Sequence, residues 1–272
     1  MKLARIGTFA LVSLLALVFL FPLYVAVLMS FKSAKQTFES FYALPPGLNF
    51  ANFAHAWETS KYPTAVLNSL IVNILAVALI IFVSALAGYA IARRNKPFYK
   101  LVFLLFMSGL MVPFQITMLP LYKMGKQFHL VDSHWGIALI YGGFGVQMGV
   151  LFYTGFIRAI SREIEEAARI DGCSTPGIFA RIVLPLLKPV TATVLVLNAL
   201  YIWNDFLLPL LYLQDKAHRT IPLQQYYFFG QYSSDLNLAF AYAVMGMIPI
   251  IVFFLFMQKF IIKGIAAGAI KG

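Results

Sequence analysis

The stretch SREIEEAARIDGCSTPGIFARIVLP, residues 161–185, is the longest charged segment of the chain, and very apolar segments lie on both sides of it. Its first half predicts a short helix that Ser161 can cap and whose acidic residues lie in the first turns, where the helix dipole favours anions. A favourable ion pair is expected between Glu165 and Arg169, four positions apart. Gly172 is expected to end this helix. The first half of the stretch is therefore predicted to be a short helix with a defined start and end.

A second short helix is predicted in the same stretch. Thr175 is expected to cap it, Pro176 to occupy its first position and Pro185 to limit it. The first helix also carries a small apolar patch with charges on either side, formed by Ile164, Ala167 and Ala168. A patch of this kind suits docking into a cleft of another protein.

The composition of the chain indicates that its solvent is a lipid bilayer. Of the 272 residues, 61% are hydrophobic and 11% are charged, whereas a soluble domain carries about 25% charged residues. Long apolar runs favour helices, so the chain is predicted to be an all-α membrane protein with one transmembrane domain over residues 1–272. The first run is too long for a signal peptide and is interpreted as a retained span. Six transmembrane helices are predicted, at about residues 6–31, 68–92, 101–122, 135–157, 189–213 and 238–262.

Three of these spans are marked by their content of glycine or proline. The fourth span is rich in glycine, which predicts close packing against other helices. The third span contains Pro113 and Pro120 and the sixth contains Pro249, and kinks are expected there.

The basic residues are distributed unevenly about the predicted spans. Fourteen of the 21 Lys and Arg residues lie on one side, at the two termini, after the second span and in the loop of about residues 158–188. The positive-inside rule places that side in the cytoplasm, together with both termini. Arg93 and Arg94 are accordingly interpreted as topology anchors. The net charge of +11 then needs no nucleic-acid partner.

Motifs of catalysis and metal binding are missing from the sequence. It contains no phosphate-binding P-loop, no H-E-x-x-H and no G-x-S-x-G. The four histidines lack the spacing of metal ligands, and the single Cys173 cannot form an internal disulfide. No catalytic residue, no metal ligand and no cofactor is therefore expected on this chain, which is not predicted to be an enzyme.

Asp205 is the main ionisable residue inside a predicted span. A carboxylate at this depth indicates function, unless hydrogen bonds to a neighbouring helix explain it, and both interpretations remain open. Asn198 and Tyr201 are spaced to share a helix face with Asp205. Other polar residues could line a translocation path or equally join helices: Asn204, Gln115, Gln147, Thr117 and Tyr141.

Two motifs in the opening stretch resemble a known family. The first motif is E-A-A-R-I-D-G at residues 166–172, and I-V-L-P follows nine residues later at residues 182–185. Together they are similar to the EAA signature of importer permeases in the ATP-binding cassette (ABC) superfamily. W-N-D-F-L-L-P-L at residues 203–210 and G-I-A-A-G-A-I-K-G at residues 264–272 resemble the carbohydrate-uptake branch, and within it the maltose-type, MalG-like subunits.

The resemblance implies a cytoplasmic coupling helix that docks on a separate ATPase. The residues that match the coupling motif or lie within it are Glu166, Ala167, Ala168, Asp171, Gly172, Ile182, Leu184 and Pro185. The family also implies a second permease subunit in a heterodimer, two ATPase subunits that hold ATP and Mg, and an extracytoplasmic sugar-binding protein. The location implied is the cytoplasmic (inner) membrane of a bacterium or archaeon, in contact with lipid.

The resemblance further implies a sugar or oligosaccharide as the imported solute, moved by alternating access. Another polar solute, such as a polyol, a sugar phosphate or a peptide, remains an alternative. The outer loop of residues 214–237 is expected to meet the binding protein, although its aromatic residues fit a membrane-interface belt equally well. The tail, residues 264–272, is expected to reach the ATPase interface.

Overall fold

The computed structural model describes residues 2–231 and 236–269, and the side chains of residues 5–226 and 236–258. Every regular element in these residues is helical, which confirms the all-helical class for this part of the chain. The α-helices in chain order are α1 (Lys2–Ser30), α2 (Ala34–Glu39), α3 (Ala51–Thr59), α4 (Tyr62–Arg93), α5 (Pro97–Gly109), α6 (Phe114–Gln127), α7 (His134–Arg158), α8 (Glu163–Ile170), α9 (Thr175–Ile178), α10 (Leu184–Leu186), α11 (Lys188–Asn204), α12 (Leu207–Tyr212), α13 (Ile221–Gln231) and α14 (Leu236–Ala269). A π-helical turn, Phe179–Val183, joins α9 to α10, and a 3-10 turn, Lys216–His218, follows α12.

Four helices are long and apolar enough to cross a membrane. They are α1, α4, α7 and α14, whose qualifying segments contain between 23 and 32 residues. About 20 helical residues cover the hydrocarbon core of a bilayer. These helices coincide with the first, second, fourth and sixth predicted spans.

The third predicted span, residues 101–122, is broken. Helices α5 and α6 meet at a bend of 101° across residues 110–113. Pro113 is the extended residue that precedes α6, and proline disfavours a helical conformation in the residue before it, Val112. The expected kink is therefore a full break, whereas Pro120 lies inside α6 and Pro249 lies inside α14.

The fifth predicted span, residues 189–213, is also interrupted. Helix α11 stops before Asp205, which has an extended backbone (ψ 136°), and α12 begins at Leu207. Pro209 supplies the physical reason, because in a continuous helix its ring would clash with the carbonyl group of Asp205. The start of α11 is itself bent by 73° from the preceding helical segment Thr175–Leu186. If each bent pair counts as one span, the described residues contain up to six spans; otherwise they contain four.

Glycines bring α7 close to α4, as the composition of the fourth span predicts. A Cβ atom at Gly142 would lie 2.5 Å from Cδ2 of Leu79, and one at Gly149 would lie 2.5 Å from Oγ of Ser84. Both distances are shorter than van der Waals contact, so a side chain at either position would force the helices apart. Gly143 does not take part, since a Cβ atom there meets nothing within 4 Å.

The chain divides into two compact units, residues 1–66 with 221–249, and residues 67–220 with 250–272. In the first unit, the amide group of Asn237 donates to the carbonyl oxygen of Met29 at 2.9 Å and to Oγ1 of Thr37 at 2.7 Å. These bonds tie the start of α14 to the end of α1 and to α2. The second unit contains the predicted coupling segment and the predicted polar path. The single domain of residues 1–272 stays a prediction.

Candidate functional site

Helix α8 has one buried face and one exposed face. Glu165 and Ala168 are buried, while Glu163, Glu166 and the other residues of the helix are exposed. The predicted cap is displaced by one residue, because Arg162 is the N-cap and makes no side-chain capping bond. The hydroxyl oxygen of Ser161 still accepts a hydrogen bond from the backbone N–H of Glu163 at 3.3 Å.

Gly172 ends α8, and this prediction is confirmed. Its φ is +84°, in the left-handed region that only glycine enters readily. Its N–H group donates to the carbonyl of Arg169 at 3.1 Å, and the N–H group of Cys173 donates to the carbonyl of Ala168 at 2.9 Å. This pair of bonds is a Schellman motif, which satisfies the last carbonyl groups of the helix and turns the chain sharply.

The second predicted helix begins and ends differently from the prediction. Ser174, not Thr175, is its N-cap and accepts from the N–H group of Gly177 at 3.4 Å. Pro185 does not limit the helix, which continues through the π-helical turn into α10. The π-helical turn accommodates the proline, because its wider backbone relieves the clash between the Pro185 ring and the carbonyl of Arg181, four residues earlier.

The buried carboxylate of Glu165 fastens α8 to α4. It lies 2.7 Å from Nε of Arg93 and accepts a hydrogen bond from the hydroxyl of Tyr89 at 2.8 Å. The same guanidinium group donates to the carbonyl of Ile160 at 3.1 Å. Within the described residues the ion pair of Glu165 is therefore with Arg93 and not with Arg169, which corrects the predicted pairing. Arg93 has a structural partner in addition to any role in topology.

The sequence contained one signal for this contact. Glu165 and Ala168 are three positions apart and share a helix face, and an acidic residue on a face that packs inward requires a cationic partner. Arg93 could not be selected as that partner, because 72 positions separate it from Glu165 in the chain.

Most residues of the E-A-A motif lie on the exposed surface of the predicted coupling segment. Glu166, Ala167, Asp171, Gly172, Leu184 and Pro185 are exposed, Ile182 is half-buried, and Ala168 is buried. The predicted apolar patch is corrected, since Ala168 faces inward. Ile164 is 46% exposed and Ile170, which was not predicted, is 87% exposed. The exposed apolar residues of α8 are thus Ile164, Ala167 and Ile170.

Asp205 lies at the break between α11 and α12 and bonds to two elements. Its Oδ2 accepts a hydrogen bond from the hydroxyl of Tyr141 on α7 at 2.8 Å, and its Oδ1 accepts from the N–H group of Leu207 at 3.1 Å. The predicted face shared with Asn198 and Tyr201 does not form, because Asp205 has left the helix.

The other residues of the predicted path are dispersed. Asn198 donates to the carbonyl of Val194 at 2.8 Å, and Asn204 donates to that of Leu200 at 2.8 Å, so both amides bond within α11. Tyr201 and Gln115 are exposed and Gln147 is half-buried. Asn198 also lies beside Gly145 of α7, and Gln147 lies beside Gly109 of α5.

The comparison with known families identifies the class of this chain. A sequence profile of the family described as "Binding-protein-dependent transport system inner membrane component" matches residues 80–266, well over half of the chain. The chain belongs to this family. It is a multi-pass membrane protein of the inner membrane and a transport permease subunit, not an enzyme.

Three relatives match this chain over at least 93% of its length, and their names describe permeases. The chain is 36% identical to the melibiose/raffinose/stachyose import permease protein MelC of Bacillus subtilis (strain 168), with 100% of each chain covered. It is 36% identical to the multiple sugar-binding transport system permease protein MsmG of Streptococcus mutans, over 93% of this chain and 92% of that one. It is 34% identical to the probable starch degradation products transport system permease protein AmyC of Thermoanaerobacterium thermosulfurigenes, over 94% and 93%.

Solved structures share the fold. A crystal structure of a bacterial ABC transporter involved in the import of the acidic polysaccharide alginate superposes with a TM-score of 0.80, over 95% of this chain and 96% of that chain, at 22% identity. A structure of a bacterial alginate ABC transporter in complex with an alginate pentasaccharide-bound periplasmic protein superposes with a TM-score of 0.69 at 18% identity. The chain therefore has the fold of an ABC importer permease.

Proposed function

We propose that this chain is the permease subunit of an ATP-driven ABC importer that moves a sugar or oligosaccharide across the cytoplasmic membrane by alternating access. The names of the relatives above, which refer to melibiose, raffinose, stachyose, multiple sugars and starch products, support a carbohydrate as the solute. The spans number six, with each bent pair counted as one span, and both termini lie in the cytoplasm.

The observation that carries the proposal is the attachment of α8 to α4 through Glu165 and Arg93. A force applied to α8 passes to α4 through a charged, hydrogen-bonded contact that is nearly excluded from solvent. Helix α4 is 32 residues long and crosses the membrane, so a displacement at its end moves a whole span. The Schellman turn at Gly172 adds rigidity on the other side of α8.

The proposed ATPase contact is the exposed surface of residues 161–185. The coupling residues are Glu166, Ala167, Ala168, Asp171, Gly172, Ile182, Leu184 and Pro185, of which the buried Ala168 acts by positioning the helix. ATP and Mg belong to the two ATPase subunits, and this chain holds no cofactor. When the ATPases close on ATP, the movement of α8 changes the access of the permease from one side to the other.

The proposed translocation path is a set of polar residues in the second unit. Asp205 and Tyr141 form its hydrogen-bonded pair, and the remaining candidates are Asn198, Tyr201, Asn204, Gln115 and Gln147. Polar side chains of this kind offer the donors and acceptors that a sugar needs.

The proposed partners complete the importer. A second permease subunit forms a heterodimer with this chain, and an extracytoplasmic sugar-binding protein delivers the solute to the outer loop of residues 214–237. The tail, residues 264–272, reaches the ATPase interface; its side chains lie outside the described residues, as do those of residues 227–235 in the outer loop.

Glu166→Lys, in the importer purified with its partner subunits, tests the coupling surface. The matched control is Glu163→Lys, which reverses the same charge at an exposed position of the same helix outside the motif. We expect Glu166→Lys to abolish ATP-driven sugar uptake and to reduce ATPase retention, with the control near wild type. Wild-type uptake and assembly in Glu166→Lys would rule out the proposed docking surface.

A further inference from the structure

A second feature of the same end of the molecule is a cavity of about 300 Å³ where three helices meet. Helix α4 ends beside it, α5 begins in it and α7 ends against it. Five cationic side chains line this basic cavity: Arg94, Lys96, Lys100, Arg158 and Arg162. Because α4 and α7 both cross the membrane, the basic cavity lies at the level where spans end.

No acidic residue lines the basic cavity. The ion pair found among the described residues joins Arg93 to Glu165, so none of the five cations has a carboxylate within 4.0 Å. The contacts of two of them are to aromatic rings: Arg94 donates to the hydroxyl of Tyr99 at 2.5 Å, and the guanidinium group of Arg158 lies over the ring of Phe103. These contacts orient the arginines without neutralising them. Several like charges around one small cavity repel each other unless an anion joins them.

The start of α5 strengthens the requirement for an anion. Lys96 is its N-cap without a side-chain capping bond, Lys100 lies in its second turn, and its first turn has no acidic residue. The N-terminus of a helix has a partial positive charge and unsatisfied N–H groups, so basic residues are unfavourable there. A phosphate group offsets both the helix dipole and the lysines.

The surface next to the basic cavity is apolar. Phe98, Leu101 and Leu105 follow the helical spacing of one face of α5, and they are 64%, 56% and 62% exposed. In a helix that lies within a membrane such a face meets acyl chains. A ligand that fills the basic cavity and continues along this face has an anionic head and an apolar tail.

We propose that the basic cavity binds the phosphate group of an anionic phospholipid whose acyl chains lie along α5. The positive-inside rule accounts for an excess of cations on one side of the membrane, but it does not require the cations of two separate segments, residues 94–100 and 158–162, to converge on one cavity. Basic pockets between transmembrane helices are suited to anionic lipid head groups. The proposal does not depend on the identity of the transported solute.

The test uses the full-length chain purified in detergent with the subunits that co-purify with it. After removal of lipid, the complex is titrated with phosphatidylglycerol, phosphatidylcholine or inorganic phosphate, and bound lipid is counted by native mass spectrometry. The variant is Lys96→Gln with Lys100→Gln, both exposed in the structure. The control removes the same charge from two exposed lysines of α6, Lys123→Gln with Lys126→Gln.

We expect phosphatidylglycerol to bind at least tenfold more tightly than phosphatidylcholine. The α5 variant should weaken this binding about 25-fold, since each of the two basic side chains near a membrane surface contributes about fivefold, and the α6 control should not change it. Equal binding of the two lipids, or equal losses in both variants, overturns the proposal. Inorganic phosphate that binds as tightly as the lipid assigns the cavity to a free anion. If the α5 variant loses an ATPase subunit but keeps its lipid, the cavity is assigned to a protein partner. The phosphate result and the ATPase result would each overturn the proposal as well.

Discussion

Glu165 depends on a partner 72 positions away in the chain, and this contact gives a single residue influence over a whole span. It lies immediately before the E-A-A motif and is only 5% exposed. The neighbouring Glu166 belongs to the motif and is exposed. Two adjacent glutamates thus have different surroundings, since the side chain of Glu165 fastens α8 to α4 and that of Glu166 is exposed.

Glu165→Gln is expected to lower the free energy of unfolding by about 3 kcal/mol, because it leaves the guanidinium group of Arg93, whose side chain is only 11% exposed, without its counter-charge. Thermal or denaturant unfolding of the purified chain measures the change. Glu163→Gln is the exposed control and is expected to change stability by less than about 0.5 kcal/mol. In a double-mutant cycle, Glu165→Gln with Arg93→Gln should cost less than the sum of the single changes. Additive effects would show that the pair does not stabilise the protein.

Gly172 is the second residue to consider, because its backbone conformation restricts which residues can replace it. Its φ of +84° costs about 1–2 kcal/mol for residues with a Cβ atom, and Asn tolerates it best. Gly172→Val should therefore loosen the Schellman turn, while Gly172→Asn should perturb it less. Cys173 is the single cysteine of the chain and lies in this turn, so its rate of labelling by a maleimide reports on the turn directly. We expect the rate to rise in Gly172→Val and to stay near wild type in Gly143→Ala, a helical glycine with open space around it. An unchanged rate in Gly172→Val would contradict this account of the turn.

At the scale of elements, the sequence predicted correctly those features whose physical cause lies within a few residues along the chain. The four long helices, the stop at Gly172 and the close packing of α7 were predictable, because apolar runs and glycine act within a few residues. The breaks at Pro113 and Asp205 were harder to predict. A proline inside a membrane helix is tolerated or disruptive depending on what neighbouring helices offer to the freed backbone groups.

Packing between α4 and α7 provides a matched pair of glycines for a test. Gly149→Ala places a Cβ atom 2.5 Å from Oγ of Ser84, and we expect a loss of about 1–3 kcal/mol in the free energy of unfolding. Gly143→Ala on the same helix meets no atom within 4 Å and is not expected to lower stability. Thermal unfolding of both variants in the same detergent measures the difference. Equal melting temperatures would mean that the α4–α7 contact is not close-packed.

At the scale of the whole molecule, the chain is a multi-pass permease of the binding-protein-dependent family, and its orientation is the property most open to a direct test. The positive-inside rule places residues 158–188 in the cytoplasm. A membrane-impermeant maleimide should then label Cys173 in inside-out vesicles and not in intact cells. Labelling of Cys173 from outside intact cells would reverse the orientation. If wild-type Cys173 is not labelled in inside-out vesicles, Gly172→Val shows whether burial of the thiol is the reason, because this variant is expected to expose Cys173 further.

The sequence by itself determined the helical membrane class and the two short helices of the charged segment, and it predicted the coupling motif, because apolar content, capping residues and residue spacing act over short distances along the chain. Only the tertiary structure decided which charges meet. It joined Glu165 to Arg93, joined Asp205 to Tyr141 and brought the cations of two separate segments to one cavity. The reason is physical: the energy of a charge or hydrogen bond depends on distance in space and on exclusion of water, and neither follows from position along the chain.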